Sequence, residues 1–426
     1  MSNDSPQVLI AGGGMVGMSL ALLLHRQLPA SARITLVEGV ALPPAAGNAR
    51  PYHPSFDARS TALSYSTAVL YRELGIWSAL EPGLGPIREI HVSRRGRFGS
   101  SLLRAREQHW EALGWVVENP CLGRELLAAV RECARIELRC PARVTAARPR
   151  AEGIDITVTD GGSAAGAADV PAAEAVVRAD LLVIADGAES TLREKLGFFT
   201  RRKRYGERAL IANLAFEKDH RGCAYERFTA SGPLALLPLP ASDEARHRMA
   251  LVWTLPPAEA GRLEEAGEDD FAAALTDAFG YRLGRVRRVG NRHSYPLALT
   301  EAVEQVRRGC VVIGNAAHAL HPVAGQGFNL ALRDAAALAA TLAGACAVGE
   351  SVGDTAVLER YAAGRDRDQA QTIAASDGLP ALFMASDPLL SLGRDLALSG
   401  MDLLPALRRQ FVREAAGVAA LEAAGG

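Results

Sequence analysis

The chain has 426 residues, of which 49% are hydrophobic and 22% charged, and its formal net charge at pH 7 is -1. This length predicts two to three domains with a large core, and the near-neutral charge gives no indication of a nucleic-acid partner. The six cysteines are scattered and none of them forms a CxxC pair. We therefore expect neither a zinc site nor a disulfide framework, but reduced thiols in a cytoplasmic protein.

The first elements predict a βαβ unit. Residues 8–11 form a short apolar run typical of a buried parallel strand, 15–27 have the apolar spacing of a helix, and 34–37 predict a second buried strand. Residues 39–56 contain four prolines and two glycines, which predicts a loop. Helical spacing returns at 61–74.

The remaining elements fall into two groups. Further buried strands of the parallel type are predicted at 136–139, 181–185 and 311–314. Alternating apolar residues predict β-structure in the intervening chain, at 144–177, 209–216, 224–229, 234–239 and 248–254. The last four of these segments are expected to form a separate antiparallel sheet. Helices are predicted at 122–133 and from the 314 region to the end, including a buried helix at 327–348 that Arg333-Asp334 interrupts, so it is not expected to span a membrane.

This order of elements predicts an α/β fold with a discontinuous Rossmann-like dinucleotide-binding domain, an inserted antiparallel-sheet domain and C-terminal helices. The predicted division gives 1–190 and 291–370 to the two parts of the dinucleotide-binding domain. It gives 191–290 to the inserted sheet and 371–426 to the helical region.

A glycine-rich motif, Gly12-Gly13-Gly14-Met15-Val16-Gly17, follows the first strand directly and opens a helix. Gly12 permits a tight turn, Gly14 lets the backbone approach a pyrophosphate, and Gly17 lets the helix pack close to the strand. The helix N-terminus offers free N–H groups to phosphates, and Glu38, at the end of the second strand, is placed to bond a ribose hydroxyl. The motif predicts dinucleotide binding and leaves the choice between flavin and nicotinamide open.

Two later motifs also follow buried strands. The first contains Asp186-Gly187 within 185–193, a pair that in isolation is most often only a turn. The second runs from Gly314-Asn315 to Leu330 and includes His318, His321 and Pro322. Asn315 can bond a sugar-like hydroxyl chain, and the backbone at Gly325–Asn329 can surround a flat polar ring and stabilise negative charge on it. The two histidines lack a third ligand at a suitable spacing, so no metal is expected.

In this order, the three motifs resemble those of the class A flavoprotein aromatic hydroxylases, which have the p-hydroxybenzoate hydroxylase fold. The resemblance spans roughly residues 8–345. It implies that FAD is the cofactor and that NADH or NADPH binds transiently as co-substrate. The FAD-binding residues that it implies are Gly12, Gly14, Gly17, Glu38, Arg59, Arg124, Asp186, Gly187, Gly314, Asn315, Gly325, Gly327, Phe328 and Asn329. Most of the superfamily has Asp at the position of Asn315.

Finer motifs are similar to those of the ubiquinone-biosynthesis hydroxylases, and most of all to the 2-polyprenyl-6-methoxyphenol hydroxylases. They include Glu226-Arg227-Phe228-Thr229, the segment 232–238, and Ser294-Tyr295-Pro296. The resemblance implies a monooxygenase that hydroxylates a polyprenylated phenol with O2 through a flavin C4a-hydroperoxide. Pro322 would border the oxygen-reacting face, and the backbone of Gly325, Gln326 and Gly327 would stabilise the reduced flavin. A substrate pocket is expected beside Phe228, Leu234, Leu236 and Pro238, and the sequence does not identify a general base.

The C-terminal region carries an apolar stripe with arginines off it. The stripe consists of Leu389, Leu392, Leu396, Leu403, Leu407 and Phe411. A core or dimer helix explains this spacing, and so does a contact with a membrane surface or a partner protein of the ubiquinone pathway. Because the substrate would carry a lipid tail, the second reading predicts a protein that is peripheral at the inner face of the membrane.

Other functions remain open from the sequence. The same fold could hydroxylate a soluble aromatic acid or reduce a prenyl chain. A catalytically inactive FAD-bound subunit could serve as a scaffold for a biosynthetic complex. A dehydrogenase that uses only NAD is a further alternative, which a yellow, flavin-containing preparation would exclude.

Overall fold

The computed structural model of the protein describes residues 5–43, 59–96, 100–161, 173–321, 325–384, 409–410, 412–414 and 416–418, with the backbone alone for 379–384. The strands are β1 (Gln7–Ala11), β2 (Arg33–Val37), β3 (Ser60–Ser64), β4 (Leu84–Ile87), β5 (Glu89–Arg94), β6 (Ser100–Arg104), β7 (Gly114–Glu118), β8 (Ile136–Arg139), β9 (Ala142–Pro149), β10 (Ile154–Asp160), β11 (Glu174–Ala179), β12 (Leu181–Ile184), β13 (Thr200–Phe216), β14 (Cys223–Phe228), β15 (Pro233–Pro238), β16 (Arg248–Leu255), β17 (Val286–Val289), β18 (His293–Ala302), β19 (Val306–Arg307), β20 (Cys310–Val312) and β21 (His318–Ala319). The helices are α1 (Met15–Gln27), α2 (Tyr65–Glu73), α3 (Trp77–Leu80), α4 (Asn119–Glu132), α5 (Thr191–Lys195), α6 (Pro257–Glu265), α7 (Glu268–Phe279), α8 (Gln326–Ala347) and α9 (Thr355–Met384).

The predicted parallel strands form one sheet in the order β19-β20-β12-β1-β2-β8. All pairings from β20 to β8 are parallel, so the carboxyl ends of these strands lie at the same edge. The strands are apolar throughout because both faces are covered. The helix α1 follows β1 directly and packs between this sheet and α8, in a core that includes Leu20, Leu24 and Leu338. The mixed α/β architecture is therefore confirmed.

A second, larger sheet has the order β21-β18-β13-β16-β15-β14-β5-β6, and β17 pairs with β13. It is mainly antiparallel, as predicted, although β14 and β5 run parallel. It also extends beyond the segment 191–290, because β5 and β6 come from the first part of the chain and β18 from the part assigned to the dinucleotide-binding domain. Pairing between strands distant in sequence leaves no local signal in the apolar pattern, which is why the predicted division left these segments out of the inserted sheet. The division into four segments otherwise stays a prediction.

The prediction of one helix over 61–74 is wrong in its first part. Ser60–Ser64 is strand β3 and pairs antiparallel with β7, in a small sheet of order β3-β7-β4. The helix α2 begins only after Ser64, whose hydroxyl accepts a hydrogen bond from the backbone N–H of Thr67. Ser64 is thus an N-cap, which ends the strand and starts the helix within one residue. Helical apolar spacing alone could not reveal the pairing with β7.

The helix α8 is long and apolar enough to cross a membrane by length and composition. In this structure it is a core helix. Its buried residues Leu332, Leu338 and Leu342 belong to the same core as α1, and Asp334 at its centre is fully buried. The buried helix that the sequence predicted is therefore present.

Candidate functional site

The first glycine motif forms a compact turn at the carboxyl end of β1. Gly12 has φ 114°, and a Cβ atom there would lie 2.4 Å from the carbonyl oxygen of Ala185. A Cβ atom at Gly17 would lie 1.9 Å from the carbonyl oxygen of Gly12, so only glycine lets α1 approach the turn this closely. Gly14, by contrast, is exposed at the N-cap of α1, and among the described residues other than its chain neighbours no atom lies within 4 Å of its Cβ position. The turn is therefore closed toward the protein and open on the side where a pyrophosphate would approach the helix N-terminus.

Glu38 lies beside this turn, at the carboxyl end of β2. Its Oε2 atom accepts a hydrogen bond from Gly13 N at 2.7 Å, and its Oε1 atom accepts one from Val40 N at 2.7 Å. These bonds fix the carboxylate while leaving lone pairs for two further donors. A ribose diol supplies such donors, and the half-buried side chain remains accessible to it.

The Asp-Gly motif follows β12, the strand next to β1. Asp186 is so close to the first turn that a Cβ atom at Gly12 would lie 2.8 Å from its Cα atom. The side chain is exposed, yet surrounding protein raises the pKa of the Asp186 carboxyl by desolvation, and the charge of Glu38 acts in the same direction. Gly187 has φ 99° and forms the turn itself. Asp186 and Glu38 thus present two acidic side chains at one edge of the parallel sheet.

Arg193 connects the second motif to the third. Its side chain is 2% exposed, and its Nη1 atom donates a hydrogen bond to the carbonyl oxygen of Ala316 at 2.8 Å. Ser190 caps α5 by accepting from Arg193 N. Gly314, with φ 64°, lies against Val16 of α1 and starts the short 3-10 turn Gly314–Ala316 that carries the exposed Asn315. All three motifs therefore meet where the carboxyl ends of β1, β12 and β20 lie side by side.

Asn329 organises the N-terminus of α8. Its amide accepts from the backbone N–H of Ser64 and the hydroxyl of Thr67, each at 2.8 Å, and donates to the carbonyl oxygens of Ala62 and Gly325 at 2.9 and 2.8 Å. The side chain is 2% exposed, and both amide atoms are fully bonded by the protein. Asn329 was expected among the FAD-binding residues, but its side chain instead holds the segment around Gly325 in place.

The other residues of this loop lie at its open side. Gly325 has φ 60°, and its Cβ position is 3.0 Å from the Cβ atom of Ala62 on β3. Gln326, Gly327 and Phe328 are half-buried in the first turn of α8. Pro322, expected beside the oxygen-reacting face, lies outside the described residues.

Two arginines expected near FAD have different surroundings. Arg59 is exposed and its guanidinium lies 5.0 Å from the ring centre of Tyr295 on β18, which is a cation–π contact. Arg124 bonds the neighbouring Glu125 through Nε at 2.7 Å. Arg59 thus lies where the large sheet meets the first strand of the small sheet. Arg124 lies on α4, where it bonds to Glu125 of the same helix.

The large sheet has two different faces. Its outer face packs against α6 and α7 and includes Leu210, Leu251 and Trp253. Its inner face meets β7: there the fully buried carboxylate of Glu118 accepts hydrogen bonds from Arg248 at 2.8 Å and Asn213 at 3.1 Å. This buried ion pair fixes the large sheet against the small one, on the side where β3 reaches the α8 N-terminus.

The expected substrate residues divide between these faces. Leu234 and Leu236 are fully buried in the outer core with α6 and α7, and Pro238 follows them in alternation. The expectation that these three line a pocket on the inner face is therefore wrong, because successive residues of a strand point to opposite faces. Ala235 and Leu237 occupy inner positions in their place. Phe228 pairs with Pro233 and points to the inner face with Glu226, so its place in the substrate pocket stays a prediction.

Glu226 was quoted in a sequence motif without a role. In the structure its Oε1 atom is buried and has no hydrogen-bond partner among the described residues. Burial raises the pKa of Glu226 to about 7. Tyr225, the residue before it, packs against Phe279 in the outer core, and Glu226 points to the other face. A glutamate that follows an aromatic residue in a predicted strand is the signal by which the sequence could have indicated this position.

The two histidines of the third motif belong to buried polar clusters. His318 receives a hydrogen bond from Gln305 and lies 3.6 Å from Asp334, which also binds Arg365 at 2.7 Å. His321 packs edge-on against Tyr205, and burial lowers its pKa to about 4. In the described part of the chain, no group of His, Cys, Asp and Glu residues could hold a metal ion.

The site and fold define a dinucleotide-binding protein of the flavin type. The chain belongs to the family described as FAD binding domain, whose model matches residues 5–376. The glycine turn, the fixed carboxylate of Glu38 and the polar turn at Asn315, which share the carboxyl edge of the parallel sheet, fit the phosphate, ribose and ribityl groups of FAD.

Relatives extend over nearly the whole chain. Ubiquinone hydroxylase UbiL of Rhodospirillum rubrum is 35% identical over 96% of this chain and 89% of its own length. The 3-demethoxyubiquinol 3-hydroxylase of Escherichia coli is 29% identical, with 98% and 100% covered. The ubiquinone biosynthesis monooxygenase COQ6 of Xenopus tropicalis is 28% identical, with 95% and 92% covered. Among solved structures, p-nitrophenol 4-monooxygenase of Pseudomonas putida has the same fold, with a TM-score of 0.74 at 18% identity and coverage of 97% and 98%.

Proposed function

We propose that this protein is an FAD-dependent monooxygenase that hydroxylates the aromatic ring of a polyprenylated methoxyphenol in ubiquinone biosynthesis, using NAD(P)H and O2. The observation that carries the proposal is the meeting of three glycine turns at one sheet edge, directly beside the inner face of a second sheet. The ring to be hydroxylated would lie on that inner face. The names of the curated relatives support the substrate class.

Bound FAD would supply the redox chemistry, taking electrons from NAD(P)H and activating O2. The residues proposed to hold its ADP part are Gly12, Gly14, Gly17, Glu38, Asp186 and Gly187. Asn315, Gly314 and the backbone at Gly325, Gly327 and Phe328 would hold the ribityl chain and ring, with Arg59 and Arg124 as further contacts. Asn329 would act as a positioning residue through its four hydrogen bonds.

The protein would contribute position and exclusion of water. The N-terminus of α8 directs backbone N–H groups at the ring-binding side, where they can stabilise negative charge at Gly325, Gln326 and Gly327. The inner face beside it carries the apolar residues Ala224, Leu237 and Ala250, which favours a prenylated ring over a charged acid. Pro322 is proposed to border the reacting face.

The test is product analysis with purified holoprotein, NAD(P)H and 18O2. A prenylated methoxyphenol should gain one 18O atom and stimulate NAD(P)H oxidation, whereas small hydroxybenzoates should do neither. Equal turnover of hydroxybenzoates would favour a soluble aromatic acid as substrate. Bound FAD without any substrate-stimulated oxygen uptake would favour a scaffold role.

We further propose that the protein is cytoplasmic and contacts the inner face of the membrane through its C-terminal region. The support is the sequence stripe from Leu389 to Phe411, which lies outside the described residues except for 409–410, and the lipid tail of the proposed substrate. Liposome flotation should recover the full-length protein, and truncation near Gly378 should reduce the recovery. Equal flotation of both proteins would contradict the contact.

A further inference from the structure

We propose that the carboxylate of Glu226 binds the hydroxyl group of the substrate phenol and takes up its proton during hydroxylation. This inference rests on the proposed function, and it assigns the general base that the sequence did not identify. Three observations support it: the position of Glu226 on the sheet, the contacts that connect the inner face to the α8 N-terminus, and one buried carboxyl oxygen that has no hydrogen-bond partner among the described residues.

The strand register places Glu226 on the inner face. Glu226 pairs with Ala235 on one side and Val92 on the other. Its sequence neighbours Tyr225 and Arg227 lie on the outer face, since Tyr225 packs in the outer core and Arg227 bonds the carbonyl oxygen of Ala278 on α7. Because side chains alternate along a strand, Glu226 must point the other way.

A short series of contacts leads from there to the flavin-binding turn. Ala224, two residues before Glu226 on the same face, packs in one cluster with Val116 of β7. Val116 pairs with Ala62 of β3, and the side chain of Ala62 lies beside Gly325. Glu226 therefore shares the inner face with Ala224, which packs toward the small sheet, and strand β3 of that sheet lies beside Gly325.

The surroundings of Glu226 are unusual for a carboxyl group. Its cross-strand neighbours are apolar, and its buried Oε1 atom has no hydrogen-bond partner in the described part of the chain. Charged or titratable groups that the register places on the inner face include Arg94 on β5, which is half-buried, His293 on β18, and the Glu118–Arg248 pair between β7 and β16. Burial raises the pKa of Glu226. A buried acceptor without a partner is costly, which is expected where a ligand group completes it.

The proposed step is a proton transfer to Glu226 that precedes hydroxylation of the ring. The phenolic O–H bond breaks, its proton moves to a Glu226 oxygen, and the electron pair stays on the phenolate oxygen and increases the electron density of the ring. One atom of O2 is then added to a ring carbon as a hydroxyl group, and that carbon loses its hydrogen as a proton, which goes to the second oxygen atom as this becomes water. Glu226 returns its proton to the phenolate oxygen of the product. The reduction of the second oxygen atom to water uses NAD(P)H, as in the proposed function. A base with a pKa near the working pH suits this transfer.

The experiment compares wild-type holoenzyme with Glu226→Gln and with the control Glu217→Gln. Glu217 lies at the end of β13 on the exposed surface, where it binds Arg287. Glu226→Gln should retain FAD and lose product formation by about 100-fold or more. It should also lose the low-pH limb of the kcat/KM profile, and the control should change neither. Undiminished hydroxylation by Glu226→Gln would overturn the assignment.

A binding measurement separates this inference from the proposed function. A prenylated phenol and its methyl ether are titrated into the oxidised holoenzyme, with the flavin spectrum as readout. Wild type should bind the phenol at least about tenfold more tightly, as expected for one charge-assisted hydrogen bond, and Glu226→Gln should lose most of that preference. If wild type shows the preference but forms no product, the proposed function fails while the Glu226 contact stands. If the preference is unchanged in Glu226→Gln, the contact is wrong.

A stability measurement and a second variant guard against a misfolded Glu226→Gln. Because the pKa of Glu226 is raised in the folded protein, its ionised form favours unfolding, so Glu226→Gln should raise the melting temperature above pH 7. Should that variant fail to fold, Glu226→Asp keeps the charge but withdraws it by one methylene. A full wild-type preference for the phenol in Glu226→Asp would count against the proposed contact.

Discussion

Gly17 and Gly14 allow a sharp test of the dinucleotide site, because the same substitution should act differently at the two positions. In Gly17→Ala the new Cβ atom would lie 1.9 Å from the carbonyl oxygen of Gly12, whereas ordinary contacts begin at 3.4 Å. The helix α1 would have to move away by more than an ångström, against a core in which Leu20 and Leu24 are fully buried. We expect a loss of at least about 3 kcal/mol in the free energy of unfolding.

Gly14→Ala should leave the free protein intact, since the part of the chain that the structure describes leaves open space around the new methyl group and the backbone at Gly14 is extended. The methyl group would instead occupy the side from which the pyrophosphate approaches. Thermal unfolding with and without FAD separates the two effects. Wild type should be stabilised by about 2.7 kcal/mol at an FAD concentration of 100 times Kd, and Gly14→Ala should lose most of this gain.

Gly344→Ala on α8 is the matched control, because it also has open space within a helix and should stabilise by up to about 1 kcal/mol. Normal stability and FAD binding in Gly17→Ala would refute the close packing described for the turn. Normal FAD binding in Gly14→Ala would place the pyrophosphate elsewhere.

Three further predictions concern buried polar groups. Asn329→Ala removes four hydrogen bonds, so it should lower the free energy of unfolding by roughly 3–5 kcal/mol and weaken FAD binding. Denaturant unfolding and flavin release measure the two effects, and Gln371→Ala, at an exposed position, should change the free energy of unfolding little. Glu118→Gln should lower the free energy of unfolding by about 3–5 kcal/mol, because Arg248 stays buried without its counter-charge. A double-mutant cycle with Arg248→Met should show strong coupling, and additive effects would contradict the ion pair. The contribution of His321 should lower the free energy of unfolding by roughly 3 kcal/mol as the pH decreases from 6.5 to 4, because unfolded chains bind a proton at His321 in this range and the folded protein does not. The variant His321→Gln should therefore have a flatter dependence of the free energy of unfolding on pH in this range.

The functional motifs were largely predictable because they depend on local geometry. The turns at Gly12, Asp186 and Gly314 each follow a short buried strand, and a strand followed by glycine and a helix is a local signal. Their meeting at one edge follows from the parallel order of β1, β12 and β20. The side-chain role of Asn329 was not predictable, since its four partners come from Ala62, Ser64, Thr67 and Gly325, and three of these are more than 260 residues away.

The direction in which residues of the large sheet point was not predictable from the sequence. The segment with Leu234 and Leu236 was correctly predicted as a strand, but its apolar residues were assigned to the substrate side. Both faces of this strand are apolar, so alternation could not tell which one α6 and α7 would cover. On β14, Glu226 alternates with Tyr225, and only the packing of Tyr225 in the outer core shows that Glu226 faces the other way.

The amino-acid sequence by itself determined the α/β class, the three glycine turns and the family resemblance, because each depends on residues that are close in the chain. Only the tertiary structure decided which side of the large sheet faces the small sheet, how Glu118 and Arg248 join the two sheets, and that Glu226 has a buried carboxyl oxygen without a partner among the described residues. These features arise from pairings between distant strands, whose free energy depends on burial and register that no local pattern contains.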